Sequence, residues 1–316
     1  MDTLSRLLDL ARPQASLDLR CLLSGAFDIV HDPAEAGIAP FHLVLDGACI
    51  VETADGAQRA LRAGDFMLFP RGAAHRVRDV KQSAAHAPLT PSHDGMLPVR
   101  RNDGQDDARI PADLDLLCGR FVYSPGSSAL LLNALPDPFH VSLSGMETRD
   151  SLQTVIALMR SEAERRQAGA LAIVTALSHA LLAMALRVHG EQNASASGVL
   201  ALLADARLGA SVQGMLSAPE RAWTIAELGD LAAMSRATYA RHFNERAGMT
   251  VMDFLTQIRM TIACDLLRRT QRSAAEIGEA VGYQSEAAFG KAFQQSVGVT
   301  PGRYRRRPQE NEAAEN

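Results

Sequence analysis

One pattern occurs twice between residues 223 and 304, and it constrains the fold of this 316-residue chain more than any other feature. The run 226–235 recurs 49 residues later, starting at Ala275, and the aromatic pair Tyr239 and Phe243 recurs 50 residues later. Each copy predicts a short helix, a tight turn and a second helix. This is the outline of a helix-turn-helix, the unit that places its second helix in the major groove of DNA.

Helix start signals and apolar positions support both copies. The first helix of each begins with a capping box, at residues 224–227 and 273–276, and Ser235 and Ser285 are placed to cap the second helices. The apolar positions predict two small cores: Ile225, Leu228, Leu231, Tyr239 and Phe243 in the first, and Ile277, Val281, Tyr283, Phe289 and Phe293 in the second.

The outer faces of the two second helices are the predicted contacts to double-stranded DNA. They carry Arg236, Ala237, Ala240 and Arg241 in the first copy, and Glu286, Ala287, Gly290 and Lys291 in the second. Arginine makes bidentate contacts to guanine, and small residues can meet the methyl group of thymine. A long helix from about Val251 to Leu267 should join the two units. Arginines nearby are candidate phosphate contacts: Arg268, Arg269, Arg272 and Arg303 to Arg307.

Charge is distributed as this interpretation requires. Residues 199–307 hold 14 Lys and Arg against 10 Asp and Glu, a surplus of four positive charges, although the whole chain has a net charge of −4. A basic segment that coincides with the repeated pattern is typical of nucleic-acid binding.

The N-terminal half has a different pattern of apolar residues. Short apolar or alternating runs between residues 17 and 69, and again at 114–123, predict the strands of a small barrel or sandwich. Within them, Gly64-Asp65 through Pro70-x-Gly72-x-x-His75 resembles the second motif of the cupin superfamily. The His-x-His pair of the first cupin motif has no counterpart here, and only His42 falls nearby. We therefore do not expect the three-histidine metal site of a cupin enzyme.

Two segments follow a helical period between Leu152 and Val188, with Gly169 between them, and predict a helical hairpin. It either forms a dimer interface or packs on its own barrel, and the sequence does not separate these alternatives. Residues 82–112 show no apolar period and predict a long mobile loop.

These observations predict an α+β protein with four segments. Residues 1–190 form a cupin-like β-barrel domain with its helical hairpin, 191–198 a linker, 199–307 an all-α domain with two helix-turn-helix units, and 308–316 an acidic tail.

Residues 207–307 resemble the DNA-binding domain of the AraC/XylS family of transcription regulators. The resemblance runs from Trp223-Thr-Ile-Ala-Glu-Leu to Gly298-Val-Thr-Pro-Gly-Arg-Tyr304. The N-terminal half resembles the cupin-type sensor domain of one AraC subgroup. More narrowly, residues 1–8, Cys21, His42, His75 and Cys118-Gly119 resemble the activators that respond to reactive chlorine species. In those activators, cysteines that match Cys21 and Cys118 are implicated in sensing, and the resemblance implies the same role here.

Three interpretations of the residues Cys21, His42, His75 and Cys118 remain open. In the first, the two cysteines are a redox switch that passes through sulfenic acid to a disulfide, with protonated histidines lowering the pKa of the thiols. In the second, all four side chains bind zinc or another transition metal. In the third, the cysteines are small buried hydrophobic residues and the histidines bond to backbone. We expect Cys49 and Cys264 to be core residues.

The function that follows is a sequence-specific transcription regulator, an activator rather than an enzyme, whose cupin-like domain senses oxidant through cysteines with or without a bound metal. Its expected partners are promoter DNA, RNA polymerase and a second copy of the chain. A small organic effector in the barrel, or a cupin enzyme with a DNA-binding appendage, are the alternatives. The chain lacks an uninterrupted apolar run of 18 residues and a signal peptide, so we expect a cytoplasmic protein with no membrane partner.

Overall fold

The computed structural model describes residues 2–82, 88–93, 97–102, 112–123, 129–132, 134–142, 149–165, 167–192 and 198–306. By its contacts the chain divides into two compact units. The sensor unit comprises residues 13–123 and 135–192, and the reader unit comprises residues 1–12, 124–134 and 193–316. Residues 193–197 of the predicted linker and the predicted acidic tail lie outside the described residues.

The strands of the sensor unit are β1 (Gln14–Leu23), β2 (Asp28–His31), β3 (Ile38–Thr53), β4 (Gln58–Arg62), β5 (Asp65–Leu68), β6 (His75–Arg78), β7 (Thr90–His93), β8 (Pro98–Arg101), β9 (Leu114–Val122) and β10 (Phe139–Ser142). The helices are α1 (Thr3–Ala11), α2 (Ala129–Leu132), α3 (Arg149–Arg165), α4 (Ala170–Gln192), α5 (Val199–Ala204), α6 (Gly209–Ser217), α7 (Ile225–Leu231), α8 (Arg236–Ala247), α9 (Val251–Arg269), α10 (Ala274–Ala280), α11 (Glu286–Val297) and α12 (Pro301–Arg306).

The long strand β3 organises the sheet of the sensor unit. Its first half pairs with β5 and β9, and its second half pairs with β4 and β6. The main strand order is β10-β5-β3-β9-β1-β8-β7, and β2 joins through β6. The sheet thus folds as a cupin-like half-barrel, which together with the helical reader unit confirms the predicted α+β fold.

The turns of the cupin-like motif have the predicted geometry. Gly64 and Gly72 have φ angles of +90° and +66°, which favour glycine because other residues meet steric strain there. They bracket the fully buried strand β5, and the chain then returns as β6, which begins with His75.

The prediction of a long mobile loop over residues 82–112 is wrong for its described part, which contains paired strands. Residues 90–93 and 98–101 are the strands β7 and β8, which pair with each other. Strand β8 also runs parallel to β1, with Cys21 opposite Arg100. The pairing partner β1 is remote in sequence, so local apolar periodicity does not reveal this strand.

The hairpin α3–α4 is confirmed, and one face of α4 packs inside the sensor unit. Val174, Leu181 and Leu182 on that face are buried, and His179 Nε2 lies 2.8 Å from the carbonyl oxygen of Pro13. Among the described helices, α4 alone is long and apolar enough to pass a membrane-span criterion based on length and composition. Core helices of soluble proteins pass the same criterion. In α4, 39% of the most apolar 18-residue stretch is buried.

The reader unit confirms the predicted caps. Both capping boxes are formed, at Thr224 with Glu227 and at Ser273 with Glu276. Ser235 and Ser285 accept hydrogen bonds from the first turns of α8 and α11.

One predicted core residue is misplaced. Leu231 is 46% exposed, because it stands at the end of α7 rather than on its buried face.

The contacts divide the chain at other positions than the predicted ones, which assigned all of residues 1–190 to the sensor domain. Helix α1 groups with the reader unit, because Leu7 packs in one buried cluster with Val212 and Met215. Leu130 of α2 joins the same cluster. The first two residues of the predicted linker, 191 and 192, form the end of α4.

Candidate functional site

The outer faces of α8 and α11 are open to solvent, as a groove-binding helix requires. Arg236, Ala237 and Arg241 on α8 are exposed, and Ala240 is half-exposed. On α11, Glu286, Ala287 and Lys291 are exposed and Gly290 is half-exposed. Among the residues that the structure describes, Arg241 has only a loose ion pair, with Glu245 at 4.0 Å. Its guanidinium is therefore available to another partner.

The inner faces of the same helices fix how each helix sits. Tyr239 and Phe243 are fully buried under α8, and the hydroxyl of Tyr239 donates to Ser211 at 3.0 Å. Phe289 and Phe293 occupy the matching positions under α11. Packing is close, since a Cβ built on Gly278 would lie 2.9 Å from the Cβ of Phe289. Each recognition helix is therefore held rigidly on its partner helix.

The predicted phosphate contacts differ in their surroundings. Arg268, Arg272 and Arg303 are exposed. Arg269 pairs with Asp265 at 2.7 Å, and Arg305 donates to the carbonyl of Leu267 at 3.3 Å, so these two already have partners. Arg307 lies outside the described residues.

In the sensor unit, Cys21 and Cys118 are brought together by β1 and β9. The register pairs Cys21 with Leu116 and Leu19 with Cys118, so the two cysteines are diagonal neighbours. Both are buried free thiols, and they belong to one buried cluster. Cys49 and Cys264 are also buried, as predicted.

A histidine cluster adjoins this pair. His42 Nδ1 lies 3.1 Å from Cys118 Sγ, and His42 Nε2 lies 2.7 Å from His75 Nε2. A third histidine, His31, stacks on His75 with ring centroids 4.6 Å apart. Phe69 stacks on the opposite side of the His75 ring, at 3.7 Å. The structure therefore joins all four predicted sensor residues and adds His31.

Burial sets the protonation of this cluster. It lowers the pKa of His31 to about 3, with the charges of His75 and Arg100 acting in the same direction. It also lowers the pKa of His42 well below its usual value. The hydrogen bond with Cys21, followed by burial, raises the pKa of the Cys118 thiol. The expectation that protonated histidines lower the thiol pKa is therefore wrong, because burial keeps both the imidazoles and the thiol uncharged.

Sequence reasoning missed His31. It stands at the end of β2, where neither a motif nor a spacing marks it. Its proximity comes from strand pairing, because β2 and β6 place His31 directly opposite His75. Three histidines therefore do meet in this barrel, although only His75 falls on a cupin motif position.

The comparisons with known proteins cover both units. Residues 2–191 match the family described as Cupin, and residues 228–307 match the family described as Helix-turn-helix domain. An uncharacterized HTH-type transcriptional regulator of Haemophilus influenzae is 33% identical over 97% of this chain and 99% of its own. The HTH-type transcriptional regulator MtrA of Neisseria gonorrhoeae is 33% identical over 97% and 98%. The RCS-specific HTH-type transcriptional activator RclR of Escherichia coli is 30% identical over 97% and 98%.

These relatives span nearly the whole chain, and they are transcription regulators rather than enzymes. The matched families cover the half-barrel and the two helix-turn-helix units whose geometry is described above. The chain belongs to the AraC family of helix-turn-helix transcriptional regulators, with an N-terminal cupin domain and a C-terminal domain that binds DNA.

Proposed function

We propose that this regulator is a transcription activator that senses oxidant through Cys21 and Cys118 and reads its operator with α8 and α11. The observation that carries the sensing part is the diagonal placement of two buried free thiols on adjacent strands, within one buried cluster. One relative, RclR of Escherichia coli, is an RCS-specific activator, which supports the same proposal.

The proposed chemistry is the oxidation of two thiols to one disulfide. With hypochlorous acid as oxidant, the Cys118 or Cys21 sulfur takes the chlorine as a sulfenyl chloride, and water leaves. The second thiol then attacks that sulfur, the S–S bond forms, and chloride and a proton are released. Two electrons pass from the sulfurs to the oxidant. A protonated, buried thiol disfavours slower oxidants such as hydrogen peroxide, because the thiolate is the better nucleophile.

The strand register supplies a reason for this bond to change the conformation. A disulfide requires Cα atoms about 4.4–6.8 Å apart. Diagonal neighbours on antiparallel strands lie about 7–8 Å apart. Closing the bond would therefore draw β1 and β9 together around residues 21 and 118. Strand β1 also pairs with β8, and β9 pairs with β3. A movement of β1 and β9 would therefore be transmitted to both of these neighbouring strands.

The experiment compares the wild type with Cys21→Ser, Cys118→Ser and the double variant. Operator DNA is first selected from a random pool with the full chain, and transcription from a promoter carrying it is measured with purified RNA polymerase. Hypochlorous acid should raise transcription by the wild type and leave all three variants unchanged. Mass spectrometry should find the Cys21–Cys118 disulfide only in the wild type.

Matched controls are Cys49→Ala and Cys264→Ala, which also remove a buried thiol and should respond like the wild type. Each variant must bind the operator in its reduced form, so that a missing response is not a folding failure. A full response in the Cys21→Ser/Cys118→Ser protein would refute the thiol switch, and equal activation by hydrogen peroxide would refute the selectivity.

The remaining partners are part of the same proposal. An activator acts by contacting RNA polymerase bound beside its operator, which the transcription assay tests directly. A DNA-binding regulator acts where the chromosome is, so we place it in the cytoplasm. We also propose that the chain works as a homodimer through the hairpin α3–α4, where Leu158, Leu171 and Ile173 are exposed apolar residues.

A further inference from the structure

Three histidines from three strands meet at one point in the sensor unit. His31 comes from β2, His42 from β3 and His75 from β6, and one ring nitrogen from each lies within 4.8 Å of the others. We propose that His31, His42 and His75 form a binding site for a divalent transition-metal ion such as Zn²⁺. The set differs from the predicted one, because it contains His31 and neither cysteine as a ligand.

The strongest observation is the state of His31. Its Nε2 atom is buried and has no hydrogen-bond partner among the described residues. A buried polar atom without a partner destabilises the fold, so such atoms are uncommon and need an explanation. A metal ion bound at Nε2 would supply the missing partner.

The tautomer of His75 is the one that a metal requires. Its Nδ1 lies 2.9 Å from the carbonyl oxygen of Ala73. A carbonyl oxygen only accepts hydrogen bonds, so Nδ1 must carry the hydrogen and the lone pair of the neutral ring is on Nε2. Metal-binding histidines commonly donate their other N–H to a backbone carbonyl in this way, which orients the ring. The stacked ring of Phe69 restricts the same ring further.

The other ring nitrogen of His42, Nδ1, also has a hydrogen-bond partner. With Nε2 turned to the metal, Nδ1 carries the hydrogen and donates to Cys118 Sγ, at 3.1 Å. Cys118 therefore acts as an outer partner that orients His42, rather than as a ligand.

The distances suit an ion after small side-chain movements. Zinc–nitrogen bonds of about 2.0–2.1 Å at tetrahedral angles place ligand nitrogens roughly 3.3 Å apart. The nitrogens of His42 and His75 are now 2.7 Å apart, and all three lie within 4.8 Å. Imidazole nitrogens suit zinc, copper, iron and nickel, so the chemical class is that of transition ions rather than calcium or magnesium.

A hydrogen-bond relay without metal is the competing explanation. The thiol of Cys118 would donate to His42, His42 Nε2 to His75 Nε2, and His75 Nδ1 to Ala73. The relay satisfies those two histidines but leaves His31 Nε2 without a partner. This difference makes His31 the residue that decides between the two.

The test measures Zn²⁺ binding to the tag-free full chain, by calorimetry and by metal analysis after dialysis. The wild type should bind one ion. His31→Gln, His42→Gln and His75→Gln should each weaken binding by more than the roughly 10–100-fold typical of losing an outer partner. Cys118→Ser should weaken it by no more than that range, and Cys21→Ser should bind like the wild type. His189→Gln, a half-buried histidine outside the cluster, is the matched control.

X-ray absorption at the zinc edge of the wild-type complex keeps the test independent of variant folding. We expect nitrogen scatterers at about 2.0–2.1 Å and no sulfur at about 2.3 Å. Sulfur in the first shell, unchanged affinity in His31→Gln, or no binding by the wild type would each overturn the proposal. The outcome is separate from that of the thiol switch, because the disulfide assay follows the cysteines alone and requires no metal ion.

Discussion

Arg241 and Lys291 occupy equivalent positions on the two recognition helices, 50 residues apart in the repeated pattern. Ala237 and Ala287 are equivalent as well, so the main difference between the two faces is Arg236 against Glu286. A carboxylate can accept from cytosine, but it is repelled by phosphates, whereas arginine favours guanine. The two helices should therefore read different half-sites, with the first contributing more of the affinity.

Substitution of these residues tests the DNA face. Arg241→Ala and Lys291→Ala should each weaken operator binding by about 1–3 kcal/mol if the side chain contacts base edges. Fluorescence anisotropy with operator and scrambled DNA separates a loss of specificity from a loss of general affinity. Arg59→Ala, an exposed arginine on β4 of the sensor unit, is the control and should bind like the wild type. Wild-type affinity in both reader variants would contradict the predicted face.

The turns of the two helix-turn-helix units differ at one residue. Ala233 has a φ angle of +52° in the first unit, and Gly282 has +89° in the second. Glycine is required in the second unit for a further reason, because a Cβ there would lie 2.4 Å from the carbonyl oxygen of Glu220. Alanine in this region is strained by roughly 1–2 kcal/mol. The repeated pattern in the sequence thus conceals two turns with different steric demands.

At the scale of elements, strands β1 and β9 carry the sensor cysteines and are pinned by a buried ion pair. Arg20 donates to both carboxylate oxygens of Asp115, at 2.9 and 2.8 Å. Both side chains are almost fully buried, at 5% and 11% exposure. A bidentate pair of this kind fixes the register of the strands as well as joining them. Any movement of β1 and β9 caused by a disulfide between Cys21 and Cys118 is therefore opposed by the Arg20–Asp115 ion pair.

Arg20→Ala should destabilise the sensor unit by about 3–5 kcal/mol, because it leaves the Asp115 charge buried without its partner. The double variant Arg20→Leu/Asp115→Leu should recover most of that loss, since no charge remains to be desolvated. Hydrogen exchange of the β1 amides at increasing urea concentrations measures the effect. Arg120→Ala breaks an exposed pair with Asp18 on the same two strands and should cost only about 0–1 kcal/mol. Equal losses in the two single variants would contradict this account.

At the scale of the whole molecule, the helices α3 and α4 carry apolar side chains that are exposed in the described part of the chain. Leu171 is 45% exposed and Ile173 is 40% exposed, although the opposite face of α4 is buried in the sensor unit. The sequence left open whether the hairpin packs on its own barrel or forms a dimer. Packing on the barrel uses one face of α4, so the exposed face remains available to a second copy.

Leu171→Glu and Ile173→Glu should convert a homodimer into monomers, because each places a charge in an apolar interface. Sedimentation of the full chain measures this directly. Val80→Glu, which changes a 57% exposed apolar residue away from the hairpin, should leave the mass unchanged. A wild type that sediments as a monomer would contradict the proposed dimer.

Much of the fold was predictable because its signals are local. A capping box, a serine cap and two aromatic anchors lie within one short segment, and each acts on its own helix, so the sequence alone defined both helix-turn-helix units. The cupin-like turn from Gly64 to Gly72 is local in the same way. Leu231 was misassigned because it is the last residue of α7, and helical spacing alone does not show which side chains at a helix end the core covers.

The sequence by itself determined that this protein reads DNA, since caps and apolar anchors specify a helix-turn-helix from neighbouring residues. It also named Cys21, His42, His75 and Cys118. Only the tertiary structure decided how those residues are related. Strand pairing brings His31 opposite His75, sets the two cysteines diagonally, and adds β7 and β8 beside Cys21. Burial then leaves the histidines and Cys118 uncharged, because desolvation depends on what surrounds a group in space and not on its neighbours in the chain.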